Sequence, residues 1–136
     1  MLPANIAELQ DNFSLFDDWE DRYRYVIELG RELTPMDDAL KTPETKVEGC
    51  TSQVWFVRQR QDDGTLTFIG DSDAHIVRGL IAILFVIYGG KTPDDILAID
   101  ARAVLGDLGL DQHLSPSRTN GLFAMVGRIR AFAEEG

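Results

Sequence analysis

From Gly79 to Gly90 the chain carries no charge, and the run Leu80-Ile81-Ala82-Ile83-Leu84-Phe85-Val86-Ile87 is apolar on every side. A helix with no polar face must be enclosed by the rest of its protein. It is too short to cross a bilayer, which takes about 20 residues. The run therefore predicts a buried central helix, from Ala74 to Tyr88, around which the remaining segments pack. Asp71-Ser72-Asp73 precedes it, with either Ser72 or Asp73 as N-cap, and Gly89-Gly90 ends it.

The flanks follow from their own periodicity. Ile6, Leu9, Phe13 and Phe16 fall at helical spacing within a first helix that begins near Pro3. Asp17 and Asp18 are candidate caps for a second, Trp19 to Leu33, weakened by Gly30 and stopped by Pro35. Thr34 to Lys46 reads as a long loop with a short turn at Asp37 to Leu40. Lys46 to Glu48 is a candidate first strand. Ser52 to Gln61 and Thr65 to Gly70 are two more strands, joined through Asp63-Gly64 as a hairpin. Beyond the central helix, Thr92-Pro93 opens a short helix to Ile99 and Arg102 to Leu108 forms another. Gly109 to Leu114 is a connector. Ser115-Pro116 starts the last helix, with Leu122, Met125, Val126, Ile129 and Phe132 on its apolar face. This order predicts one α+β domain over 1–136, a small antiparallel sheet of about three strands packed against several helices.

Against that frame one side chain is singular. Cys50 is the only cysteine among 136 residues. It follows a glycine and precedes Val54-Trp55-Phe56-Val57, which favours a strand. Gly49-Cys50 thus reads as a tight turn anchored by rigid structure. A lone cysteine is commonly a buried small hydrophobe, but a turn flanked by Glu48, Thr51 and Ser52 is a poor place for one. A single thiol excludes an internal disulfide and suits a reducing, cytoplasmic setting. One cysteine with two distant histidines, His75 and His113, gives neither zinc spacing nor the thiolates of an iron–sulfur cluster.

Two residues qualify as helpers of the thiol. His75 opens the central helix near the sheet end that bears Cys50, so a Cys–His pair is one expectation, set against the more ordinary one of an exposed first-turn histidine. Arg118 lies in the first turn of the last helix, where a cation opposes the macrodipole. Helix stability does not account for it. Asp71 and Asp73 are explained as caps.

The formal charge is −10, from 13 basic and 23 acidic residues. Residues 1–50 alone hold 12 acids and 5 bases. This argues against nucleic acid and against anionic membrane surfaces, both of which call for clustered Lys and Arg.

Taken together, Val47-Glu48-Gly49-Cys50-Thr51-Ser52-Gln53-Val54-Trp55, Gly70-Asp71-Ser72-Asp73-Ala74, Ile76-Val77-Arg78-Gly79-Leu80 and Gln112-His113-Leu114-Ser115-Pro116-Ser117-Arg118 followed by Gly121-Leu122, with Asn12-Phe13, Trp19-Glu20 and Ile27-Glu28-Leu29-Gly30 near the start, resemble the SufE family of sulfur-acceptor proteins, including its CsdE branch. The likeness runs in order along nearly the whole chain. Thr51 occupies a variable slot, and His75 replaces what is often a small residue. The resemblance implies a SufE/IscU-like fold. It also implies that Cys50 takes persulfide sulfur from a pyridoxal-phosphate-dependent cysteine desulfurase of the SufS or CsdA type, stimulates that enzyme, and passes sulfur to an iron–sulfur scaffold or another acceptor. The chain would then be an accessory protein, not an enzyme, with no cofactor of its own. Arg118 matches the family arginine near the cysteine loop. Glu48, Gly49, Thr51, Ser52, Gln53, Asp71, Asp73 and His75 form the implied partner-facing surface. The competing expectations are a self-sufficient thiol enzyme using Cys50 with His75, and a binding module that needs no thiol.

Overall fold

The structure is a computed structural model and describes residues 2–135. The first helix, α1 (Ile6–Ser14), is capped by Asn5, whose side chain accepts the Glu8 N–H. In α2 (Trp19–Arg31) the cap is Asp18, accepting from Asp21 N–H at 2.9 Å. A 3₁₀ turn at Asp38–Leu40 follows in the long loop. The hairpin strands β1 (Val54–Arg60) and β2 (Leu66–Ser72) pair antiparallel with Phe56 opposite Gly70. The central helix is α3 (His75–Tyr88). Then come α4 (Pro93–Ala98), α5 (Ala101–Asp107), α6 (Leu110–His113) and α7 (Pro116–Glu135).

The apolar run is enclosed as expected. Leu80, Ile81, Ala82, Ile83, Leu84 and Ile87 are essentially inaccessible, among Leu9 and Phe13 of α1, Val26 of α2, Phe56 of β1 and Leu122 and Ile129 of α7. Each of the leucine and isoleucine side chains contributes about 1.5–3 kcal/mol relative to its exposed state. The α2–α3 crossing is close. A Cβ on Gly79 would lie 2.1 Å from the Val26 carbonyl oxygen, and one on Gly30 would lie 2.7 Å from the Gly79 nitrogen. Gly30 is thus not merely a weak spot in α2. Its missing side chain lets the two backbones meet. No helix among the described residues is long and apolar enough to cross a membrane.

Three local expectations are corrected. The sheet has two strands among the described residues, because the candidate strand at Lys46–Glu48 shrinks to one bridge between Lys46 and Trp55. Gly49 turns the chain away before a ladder can form. The N-cap of α3 is neither Ser72 nor Asp73 but Ala74, with no side-chain cap. Both polar residues are engaged elsewhere or lie one step early: Ser72 Oγ accepts the Ala74 N–H, while Asp73 bonds to Gln53. The connector at Gly109–Leu114 winds into the single turn of α6, started by Gly109 at φ +75°. His113 there stacks on Trp19 with centroids 4.5 Å apart.

Candidate functional site

Residues 48–53 form a short loop whose base is tied by backbone bonds. Val47 N–H donates to Val54 O at 2.8 Å, and Phe56 N–H donates to Thr45 O at 2.9 Å. Val47 and Val54 are themselves buried, so the base is anchored in the core. Gly49 takes φ +91°, a region that disfavours any side chain, and a Cβ there would also lie 3.1 Å from Ala124. The expected tight turn is present, for both reasons.

The turn delivers Cys50 inward, half-buried against α3 and α7. Its Sγ–H donates to the Gly121 carbonyl at 3.5 Å. Val77 and Leu80 from α3 and Leu122 and Met125 from α7 make apolar walls. Ser52, Ser117 and Arg118 stand at the rim. The open volume that remains is about 10 Å³, room for one water at most. Burial pushes the thiol above its usual pKa, and the Glu48 carboxylate pushes it the same way. At rest Cys50 is therefore held as the protonated thiol, half-buried and less nucleophilic than a free thiol.

The loop is fastened at its other end too. Gln53 N–H donates to Asp73 Oδ1 at 3.1 Å, and Asp73 N–H donates back to Gln53 O at 3.3 Å. Ser117 Oγ donates to Thr51 Oγ1 at 3.3 Å. Asp71 is neither a cap nor a free carboxylate. Lys41 Nζ lies 2.9 Å from its Oδ2, and Arg78 Nε lies 3.1 Å from Oδ1, close enough for ion pairing though not aligned as a hydrogen bond. The Asp71 and Asp38 carboxylates hold the Lys41 ammonium above its usual pKa, and the same ammonium sits 5.3 Å from the Trp55 ring centroid. These contacts fix the long loop to the end of β2.

The structure thus brings Cys50, Thr51, Ser52 and Arg118 around one small cavity, with Gly49 behind and Glu48 exposed beside it. Ser115 accepts the Arg118 backbone N–H as the cap of α7. Among the described residues the Arg118 guanidinium has no ion pair or hydrogen bond, so its charge is available. His75 is exposed at the start of α3 and makes no hydrogen bond to Cys50 among the described residues. The α3 side chains that wall the thiol are Val77 and Leu80. Sequence reasoning met Gly121 only within the family resemblance, without its role as the seat of the cysteine, and missed Lys41, the counter-ion of Asp71. Gly121 carries a readable signal: it lies one helical turn after Ser117 and one before Met125, at the edge of the apolar face of α7.

Two predictions arise from this geometry. Glu48→Gln removes a like charge from beside the thiol, so the Cys50 pKa falls towards its ordinary value. Alkylation by iodoacetamide should then run faster than wild type between about pH 7 and 8, and the two rates should converge at pH values above both pKa values. An unchanged pH profile would mean that burial alone sets the thiol. At Gly121, a Cβ would meet Cys50 at 3.7–3.8 Å, an ordinary contact, so alanine fits. Valine adds carbons that reach further and displaces the loop. Gly121→Val is expected to cost about 1–3 kcal/mol and to speed Cys50 alkylation about tenfold, with Gly121→Ala near wild type in both; equal rates for the two variants would contradict the seating described.

Comparison with known proteins gives the family and the fold of the chain. The family described as SufE: Fe-S metabolism associated domain matches residues 7–133. An uncharacterised SufE-like protein of Rhizobium meliloti is 50% identical over 134 residues, covering 96% of each chain. Another, from Rhizobium etli, is 49% identical over 134 residues, covering 96% of this chain and 90% of that one. The solution structure of a hypothetical protein from Thermus thermophilus superposes with a TM-score of 0.77 at 18% identity, over 99% of this chain and 97% of that one, and so shares the fold. A half-buried sole cysteine in a glycine turn, seated on the last helix of an α+β fold, thus occurs here in a chain that belongs to the SufE family, whose domain is associated with iron–sulfur metabolism.

Proposed function

We infer that this chain accepts sulfur from a cysteine desulfurase and hands it on to iron–sulfur cluster assembly. The observation that carries the reading is the placement of the sole thiol. Cys50 sits at the tip of a loop pinned at its base, in a cavity whose rim holds the unpaired Arg118. The transfer is an exchange at sulfur. The Cys50 thiolate attacks the terminal sulfur of a donor persulfide. The donor S–S bond breaks, its electron pair leaves with the donor cysteine as a thiolate, and a new S–S bond forms on Cys50. The Cys50 proton goes to solvent, and no net oxidation occurs. One cysteine is sufficient, and the lack of a second prevents a disulfide from discharging the sulfur as sulfide.

The resting thiol is protonated and half-buried against α7, so movement of the loop off its seat would free it for transfer. Leaving removes the burial that raises the thiol pKa. Arg118 is then placed to stabilise the thiolate or the persulfide, as a permanently charged planar donor. The exposed Glu48, Gly49, Thr51 and Gln53 of the loop, with the exposed Asp73 and His75 before and at the start of α3, would meet the partner. Asp71 supports that surface from below through Lys41. The chain needs no cofactor of its own here, pyridoxal phosphate belonging to the desulfurase, and a reducing cytoplasm keeps the single thiol free.

The test is intact-protein mass spectrometry without reductant after mixing with a SufS- or CsdA-type desulfurase and cysteine. The expected result is a gain of one or more sulfur atoms and faster desulfurase turnover. No gain with either type of donor would overturn the reading.

A further inference from the structure

Four positions on one face of α7 follow the cysteine loop from tip to base. Ser117 Oγ meets Thr51 Oγ1 at 3.3 Å, Gly121 lies under Cys50, and Ala124 faces Gly49. Arg128 completes the row. Its Nη2 donates to Glu44 O at 2.7 Å and its Nη1 to Lys46 O at 3.5 Å. The spacings of four, three and four residues keep all of them on one stripe of the helix.

The two ends of this stripe hold with different strength. At the tip, a hydroxyl pair at 3.3 Å and a thiol at 3.5 Å are long contacts between weak partners. At the base, a charged donor reaches a carbonyl at 2.7 Å. Backbone bonds from Val47, Phe56 and Lys46 add to it. Arg128 is itself braced, 5.2 Å from the Phe132 ring centroid. The loop must therefore come away from its tip while its base stays put.

We propose that Arg128 is a positioning residue for Cys50: by clamping the Glu44 and Lys46 carbonyls it fixes the base, so that residues 48–53 turn as a flap about Val47 and Val54 and carry the thiol along one arc. Its use in sulfur transfer rests on the acceptor reading above, but the clamp itself does not. Without the clamp the base loosens, the arc widens, and fewer of the open conformations present the thiol to a partner.

Arg128→Gln, Arg128→Lys and Ser117→Ala test this. Amide hydrogen exchange at Val47 and Phe56 reports the base, exchange at Ile83 reports the whole core, and iodoacetamide reports exposure of Cys50. Arg128→Gln is expected to speed exchange at Val47 and Phe56 about tenfold with Ile83 unmoved. Arg128→Lys should fall between, since an ammonium can reach one carbonyl of the two. Ser117→Ala should speed alkylation and leave both base amides unchanged. With a desulfurase and cysteine, Arg128→Gln should raise the half-saturating concentration of this protein about threefold while the maximal rate stays within about twofold. Unchanged base amides in Arg128→Gln would overturn the proposal, as would acceleration shared equally by Ile83. Should the glutamine variant fail to fold, the lysine variant decides by the same comparison of Val47 and Phe56 with Ile83. If wild type gains no sulfur yet its base amides respond to Arg128, the acceptor reading fails and the clamp stands.

Discussion

Cys50→Ser is expected to gain no sulfur at all from a cysteine desulfurase supplied with cysteine, whereas wild type gains at least one atom. The effect is a complete loss, because the chain holds no other thiol to take over. The fold should survive. Serine is smaller, sits half-buried in the same turn, and its hydroxyl can donate to the Gly121 carbonyl that Sγ–H now reaches at 3.5 Å. The melting temperature should stay within a few degrees of wild type, corresponding to about 1 kcal/mol or less. Partner binding should also survive, since the exposed residues around the loop are untouched. Stimulation of the desulfurase then separates the three readings. A sulfur acceptor loses stimulation with Cys50, and a binding module keeps it. A self-sufficient thiol enzyme would show turnover with no desulfurase present. Sulfur found on the serine variant would place the acceptor chemistry outside Cys50 and remove the site described.

Gly79→Ala is expected to be the most damaging single methyl in the core. The added Cβ would sit 2.1 Å from the Val26 carbonyl oxygen and 2.6 Å from its carbon. Those are backbone atoms of α2 and cannot rotate aside. Either α2 is levered off α3 or the side chains around the crossing repack. Overpacking costs about 1–3 kcal/mol where side chains can yield, so a backbone clash belongs at about 3 kcal/mol or more. That corresponds to a fall of about 10 °C or more in melting temperature. Gly127 is the control, because a Cβ there meets nothing within 4 Å. Gly127→Ala should be neutral or stabilising by up to about 1 kcal/mol through helix propensity. If both variants melt with wild type, the helices do not cross as closely as described.

Much of this was legible in the sequence, and the misses share a cause. The apolar run, the Asp18 cap, the Thr92-Pro93 and Ser115-Pro116 starts and the Asp63-Gly64 hairpin are each written in a few adjacent residues, and each is present. The Gly49 turn is as well. The cap of α3 differs from the expectation because Ser72 and Asp73 have the chemistry of caps but are committed otherwise, Ser72 to the Ala74 N–H two residues on and Asp73 to Gln53 across the fold. Asp71 was misread likewise, its partners Lys41 and Arg78 being separated from it in sequence. The third strand failed because β propensity at Lys46–Glu48 cannot outlast the turn at Gly49. Around the cysteine, the residue types were legible but their assembly was not. Nothing local says that Gly121 lies beneath Cys50, or that Arg128 reaches back to Glu44.

The bond from Val47 N–H to Val54 O also sets a length. Cys50 is three residues beyond Val47, and an extended chain advances at most about 3.6 Å per residue. However the flap moves, its cysteine Cα stays within a tether of about 10 Å from the hinge. If Cys50 accepts sulfur as proposed, a donor sulfur at the bottom of a deep channel is out of range, and the donor would have to bring its persulfide nearly to the surface where the two proteins touch. For the proposed acceptor role, depth would then filter partners independently of charge or shape: the short loop would suit donors that extend their sulfur and not those that keep it inside.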